Sequence, residues 1–389
     1  MEKNDTLKMW TDKVRKFDEM NLPESLLKGI YCYGFDKPSA IQQRAITAIM
    51  TGNDLIAQSQ SGTGKTGAFS IGLLARIKPN YQGLQGLILS PTRELAHQTY
   101  YVLKNLASNM NLKIEEFIGG SEVKEDVEKI QDGVQIAVCT PGRLFDLMER
   151  GYLKTNNVSM FIIDEADQML SQDFKEQVRK IMINIPNNCQ MSIFSATLTS
   201  EVMNISKHIM NNPYHILLKT SELTLEGIKQ FYVDVNQENY KFDVLLDLYQ
   251  SLNITCAIIY INSQKKCDYV YDRLISNNFA VSKIHGKMEQ SKRNEIMKEF
   301  RTGSTRVLLT TDLLARGIDV QSVSLVINYD LPKDKENYIH RIGRTGRFGR
   351  KGNSINLIVP EEYSYIQDLE TFYSTNIIPL PSDLSTLNT

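Results

Sequence analysis

The chain reads as an α/β protein of two domains, each a mostly parallel sheet flanked by helices, and three observations predict it. Its 389 residues exceed what one hydrophobic core ordinarily serves. Its β-rich runs are continuously apolar rather than alternating, as befits strands buried on both faces of a parallel sheet. Those runs also fall into two series, spaced widely enough for a helix between neighbours, which is what βαβ units need.

The first series is DLIA (54–57), GLILS (86–90), QIAVCT (135–140), MFIID (160–164) and MSIFSA (191–196). The second is CAIIYI (256–261), VSKIHG (281–286), RVLLTT (306–311), LVINYD (325–330) and SINLIV (354–359). Helical patterns such as GKTGAFSIGLLARI and FKEQVRKIMINI lie between them. The stretch from about 212 to 230 carries two breaks, Asn212-Pro213 and Gly227. The expected organisation is therefore a first domain over 1–217, a linker over 218–228 and a second domain over 229–389.

The net charge is only −1, so a polyanion would have to be held by local basic clusters rather than by the field of the whole molecule. Five cysteines (Cys32, Cys139, Cys189, Cys256 and Cys267) show neither paired nor metal-ligand spacing and read as free thiols in a reducing compartment. The first residues, MEKNDTLKMW, lack a signal core, no run of about 18 apolar residues occurs, and SDLSTLNT holds no lipidation cysteine. These features point to a soluble intracellular protein without a membrane span.

SQSGTGKT (59–66) follows the strand DLIA and precedes an apolar helix. Glycines there let backbone N–H groups approach phosphates at a helix N-terminus. The loop Ser59, Gln60, Ser61, Gly62, Thr63, Gly64, Lys65, Thr66 is thus expected to cradle a nucleotide, although Ser59 stands where the general pattern has glycine. Lys65 would reach the terminal phosphates, and Thr66 would hold Mg²⁺. A second apolar strand ends on Asp164 and Glu165, with Asp167 two residues on. Clustered acids repel one another in a dry core unless a cation joins them. Beside a phosphate loop, Asp164 would face the metal and Glu165 the attacking water. In YIHRIGRTGRFGRKG (338–352), Arg341, Arg344, Arg347, Arg350 and Lys351 read as a polyanion patch or as arginine fingers, and both can hold for different arginines. The chemistry so far is ATP hydrolysis involving two domains.

These segments, with PTRELA (91–96), TPGR (140–143), SAT (195–197), TTDLLARGID (310–319) and HRIGRTGR (340–347), occur in an order that resembles the DEAD-box RNA helicases, within them the translation-initiation branch. The resemblance implies two RecA-like domains that close on ATP and single-stranded RNA. It implies that Phe17 stacks on the adenine, that Gln42 reads the adenine edge, that Ser39 supports the phosphate loop and that Asp319 touches the ribose. Arg344 and Arg347 would be the fingers. Asp167, Ser195, Thr197 and His340 would couple hydrolysis to RNA release, Ser195 and Thr197 bonding toward Asp167. Arg93, Gly120, Thr140, Arg143, Asn262, Gln290, Arg293 and Thr311 would hold the RNA backbone, which carries no base information. Partners implied are a factor 4G-type scaffold and a factor 4B-type stimulator around a monomer, in the cytoplasm with a nuclear pool left open. Departures from the family pattern are Lys287, Gln168, Ser263 and Cys139. An RNA clamp of the exon-junction type would carry the same motifs, whereas a P-loop ATPase acting on protein would not need PTRELA, TPGR and QSKR.

Overall fold

The computed structural model describes residues 8–59, 62–170, 174–217, 227–252, 254–312, 323–345, 352–384 and 387. The chain divides into two compact units, Met1–Leu223 and Thr224–Thr389.

The first unit is a seven-stranded sheet of β1 (Leu55–Gln58), β2 (Gly86–Leu89), β3 (Ile114–Phe117), β4 (Ile136–Cys139), β5 (Met160–Ile163), β6 (Gln190–Ser195) and β7 (Tyr214–Leu217). Its order is β3-β4-β2-β5-β6-β1-β7, and every pairing is parallel. The GLIL of β2 and the MFII of β5 are buried throughout, because helices cover both faces of the sheet. Two apolar clusters lie on the two faces, one containing Ile88, Ile162 and Phe194, the other Leu87, Phe161 and Ile193. The alternation within each strand assigns neighbours to opposite layers.

The second unit repeats the plan with β8 (Ile228–Asp234), β9 (Ala257–Tyr260), β10 (Ser282–Ile284), β11 (Val307–Thr310), β12 (Leu325–Asn328), β13 (Gly352–Ile358) and β14 (Ile377–Pro379), in the order β10-β11-β9-β12-β13-β8-β14. All its pairings are parallel too. All ten expected runs are strands. Four more, β3, β7, β8 and β14, were not foreseen. Residues 218–226 of the expected linker lie outside the described residues, and its last residue, Ile228, is already the first of β8.

In each sheet the motif residues follow the carboxyl ends of central strands, where a crevice for ligands forms in open α/β sheets. β1, β6 and β5 are neighbours, so the phosphate loop, SAT and DEAD emerge side by side. In the second sheet β11, β9 and β12 are neighbours and deliver Thr311, Asn262 and Asp330.

Candidate active site

The loop after β1 enters the helix Lys65–Arg76 through Gly64, at φ 101°, and Gly62 takes φ 82°. A Cβ on Gly64 would lie 2.8 Å from Gln42 Nε2 and 2.9 Å from Ser39 Oγ, so both conformation and space demand glycine. Gln42 is buried on its helix Gln42–Met50, with both ends of its amide engaged. Its Oε1 accepts from the Ser39 N–H at 2.9 Å, and its Nε2 donates to the Gly64 carbonyl at 3.3 Å. Ser39 Oγ is buried without a partner among the described residues. Within the loop, Ser59 Oγ and Thr63 Oγ1 share a hydrogen 2.5 Å apart, while Lys65 Nζ donates to the Ser59 carbonyl at 2.9 Å. Gln60 and Ser61 lie outside the described residues.

Asp164 and Glu165 stand at the end of β5, both 2% exposed. Glu165 adopts φ 47°, a left-handed conformation unusual for a side chain of this size and the kind of strain that gathers at functional sites. Lys65 Nζ is 3.7 Å from Glu165 Oε1. Burial pushes the Asp164 carboxyl up to about 7, the adjoining Glu165 carboxylate pushes the same way, and Lys65 opposes them. Such an acid pair favours a ligand bringing positive charge, and Asp164 with the half-buried Thr66 hydroxyl supplies oxygen donors of the type hard divalent cations prefer. Asp167 meets the end of β6: its N–H donates to Ser195 Oγ at 3.2 Å, and Thr197 Oγ1 donates to its Oδ2 at 2.9 Å.

Phe17 requires a correction. It is fully buried in the first core cluster, leaving no ring face for a base. Phe35 stands in front of it, stacked at 6.4 Å between centroids, half-buried, with its edge about 3 Å from where a Cβ on Gly67 would sit. Phe35 therefore borders Gln42 and the phosphate-loop helix. Its position one residue after the left-handed Gly34 and three before Pro38 was the available signal, since that turn lifts it out of the preceding helix.

A second group in the first unit surrounds the ends of β3 and β4. Arg93 begins the helix Arg93–Leu106, whose N-cap Thr92 accepts from the Leu95 N–H. Its Nη1 would lie 2.6 Å from a Cβ on Gly120, which takes φ 93°. The Gly119 N–H donates to Thr140 Oγ1 at 3.2 Å, and Arg143 Nη2 donates to the Ser121 carbonyl at 2.6 Å. Arg93, Gly120, Thr140 and Arg143 thus come together.

In the second unit, Asn262 is held on three sides. Its N–H donates to Asp330 Oδ2 at 3.0 Å, its Nδ2 to the Leu331 carbonyl at 2.7 Å, and its Oδ1 accepts from Arg341 Nη2 at 2.6 Å. Arg341 is fully buried, with Nε 2.6 Å from Asp312 Oδ1. It belongs to the interior and not to a basic surface patch. His340 and Arg344 on the same segment are buried, Arg344 Nε donating to the His340 carbonyl at 3.0 Å. Gln290 opens the helix Gln290–Thr302, on which Arg293 is buried, and Thr311 follows β11 half-buried. Asp319 and Arg347 lie outside the described residues.

The DEAD/DEAH box helicase family model matches residues 39–205, and the helicase conserved C-terminal domain model matches 240–349. The chain is 52% identical over 378 residues to the ATP-dependent RNA helicase eIF4A of Yarrowia lipolytica, covering 97% of this chain and 96% of that protein. It is 55% identical over 376 residues to the eIF4A of Candida glabrata, covering 97% and 95%. Among solved structures, Dbp5 of S. cerevisiae bound to RNA and ADP BeF3 matches with a TM-score of 0.90 at 38% identity, over 95% of this chain and 97% of that one. The chain belongs to the DEAD-box helicase family, whose members bind ATP and RNA. No helix among the described residues is long and apolar enough to cross a membrane.

Proposed function

We propose that this ATP-dependent RNA helicase holds single-stranded RNA without sequence preference and locally separates short duplexes during translation initiation. The observation that carries the reading is the buried triad Lys65, Asp164 and Glu165, an ATP-hydrolysing arrangement whose charges balance best with a ligand present. Lys65 and the loop residues Ser59 to Thr66 take the phosphates, with Thr66 and Asp164 as the metal donors. Mg²⁺, when bound, would offset phosphate charge. Glu165 orients and deprotonates the attacking water. Phe35 replaces Phe17 as the stacking ring. Gln42 reads the adenine by exchanging one of its present bonds, and Ser39 braces the loop. Asp319 would reach the ribose, while Arg344 and Arg347 would stabilise charge in the transition state.

Arg93, Gly120, Thr140, Arg143, Asn262, Gln290, Arg293 and Thr311 are assigned to the RNA backbone. Asp167, Ser195, Thr197 and His340 are assigned to coupling. A factor 4G-type scaffold and a factor 4B-type stimulator are the proposed partners of a cytoplasmic monomer, inferred from the eIF4A relatives.

Steady-state ATPase rates with and without single-stranded RNA, beside Glu165→Gln, test the reading. Strong RNA stimulation that the variant lacks supports it. A rate indifferent to RNA, also with a 4G-type scaffold present, defeats it. RNA retained without duplex separation would shift the assignment to a clamp of the exon-junction type.

A further inference from the structure

We propose that Asp126 is a positioning residue that holds Arg143 ready for an RNA phosphate, an inference that rests on the reading of Arg143 as an RNA contact. Asp126 lies on the helix Val123–Asp132 and is 1% exposed. Arg143 lies in the first turn of the helix Pro141–Glu149, directly after β4, and is 9% exposed. Its guanidinium is held at two points: Nη1 donates to Asp126 Oδ2, and Nη2 donates to the Ser121 carbonyl. Two acceptors fix the plane of the group as well as its place.

The segment between β3 and this helix is tied into the same cluster. Ser121 Oγ donates to the Ile118 carbonyl at 3.0 Å and lies 3.4 Å from both Asp126 oxygens, and the Gly119 N–H reaches Thr140 Oγ1. Beside it, Arg93 crowds Gly120. The four residues assigned to RNA in this unit therefore surround a segment that Asp126 and Arg143 lock. Burial raises the Asp126 carboxyl above the usual range, and the Arg143 charge pulls it back, so the two depend on each other.

An unanchored arginine would have to give up rotamer freedom when it meets a phosphate. Here that ordering is complete before RNA arrives. A pair serving only the fold would lie anywhere in the core. This one ends at the carboxyl edge of the sheet, among residues with the same assignment.

The test is a double-mutant cycle on Asp126→Asn and Arg143→Gln, reading the concentration of single-stranded oligouridine that half-saturates ATPase stimulation. Asp126→Asn should raise that concentration roughly 3- to 10-fold, leave the rate without RNA and the ATP KM at saturating RNA unchanged, and add nothing in the Arg143→Gln background. Asp126→Glu, which keeps the charge, should recover part of the loss. An additive cycle, or tighter RNA binding by Asp126→Asn, overturns the proposal while leaving Arg143 as an RNA contact. If Arg143→Gln alone has no effect, the reading of Arg143 falls, and the inference with it. Should Asp126→Asn fail to fold, the same cycle runs on Asp126→Ser, which also removes the charge, and additivity there overturns the proposal equally.

Discussion

The two units share a sheet plan and place charged residues at the same ends of their strands, but they treat the charge differently. In the first, Asp164 and Glu165 are buried side by side, with Lys65 Nζ 3.7 Å from Glu165. The resulting rise of Asp164 is the mark of a site poised for a ligand. In the second, the charges are already matched. Arg341 is bonded to Asp312 and Asn262, and Asp330 receives Lys266 and, at 3.9 Å, the fully buried Lys241. Lys241 also reaches Glu238 at 3.0 Å and Glu362 at 3.3 Å. A buried polar chain continues behind Arg341, from Asn328 to Asn356 at 2.8 Å, to Tyr338 at 3.3 Å and on to Gln230 at 2.9 Å. One architecture thus carries a crowded pair of acids in one unit and, around Arg341 and Asp330, matched buried charges in the other, and substitutions at these two places should fail differently.

The sharpest way to break the contrast is Glu165→Gln. It preserves shape and removes one of the two crowded acids. The ATPase kcat should fall by about 10²–10⁴-fold, the range for losing a general base. Thermal unfolding of the first unit should be unchanged or later, because a desolvated like charge is gone. Early melting would instead make Glu165 a structural residue. Arg341→Gln should show the opposite profile, costing roughly 1–3 kcal/mol in the second unit by leaving Asn262 Oδ1 and the Asp330 carbonyl without their buried donor, while Asp312, more than a third exposed, turns to water. Urea unfolding of Thr224–Thr389 would register it, and an unchanged midpoint would overturn the reading of Arg341 as a brace.

What the sequence made legible follows the same line. Continuous apolar runs revealed the ten strands from 54–57 onward because helices bury them on both sides. β3 (IEEF) escaped because two acids interrupt it, β7 (YHIL) and β14 (IIP) because they run for only four and three residues, not all of them buried, and β8 because IKQFYVD has a half-exposed pattern, whereas the edge strand β10 was caught within VSKIHG. Charged side chains are what edge strands use to discourage further pairing, so an apolar filter discards IEEF. The motifs were readable because backbone geometry demands specific residues there, as at Gly64. Side-chain depth was not: nothing in the spacing of Arg341 and Arg344 separates a guanidinium in the interior from one on a patch, or Phe17 from Phe35.

That last distinction yields a smaller effect. Phe35→Ala should raise the ATP KM by roughly 5- to 150-fold, since stacking of a base on an aromatic ring is worth about 1–3 kcal/mol, with little loss of stability from a half-buried ring. Phe17→Ala should instead destabilise the first unit by about 3–5 kcal/mol through the cavity it opens. Fluorescent-nucleotide binding paired with thermal melting separates the two. A KM change without destabilisation from Phe17→Ala would restore Phe17 as the stacking residue.

The mildest expected change in hydrolysis comes from Thr197→Ala, and it probes a place where the first unit's acid edge is braced by hydrogen bonds as the second unit is. Thr197 Oγ1 donates to Asp167 Oδ2, and the Ser195 hydroxyl both accepts from the Asp167 N–H and donates to the Thr197 carbonyl at 2.7 Å. β6 and β5 are thereby joined two residues beyond Glu165. Deleting one hydroxyl leaves Lys65, Asp164 and Glu165 in place, so RNA-stimulated hydrolysis should stay within a few-fold of normal and stability should fall by only about 0.5–1.5 kcal/mol. If this hydrogen-bonded step transmits the state of the acid edge to RNA, separation of a short duplex per ATP should fall much further than hydrolysis does. Parallel losses in both assays would mean that Thr197 supports the acids themselves, and the division between the acid edge and its bracing would then have to be drawn on the other side of β6.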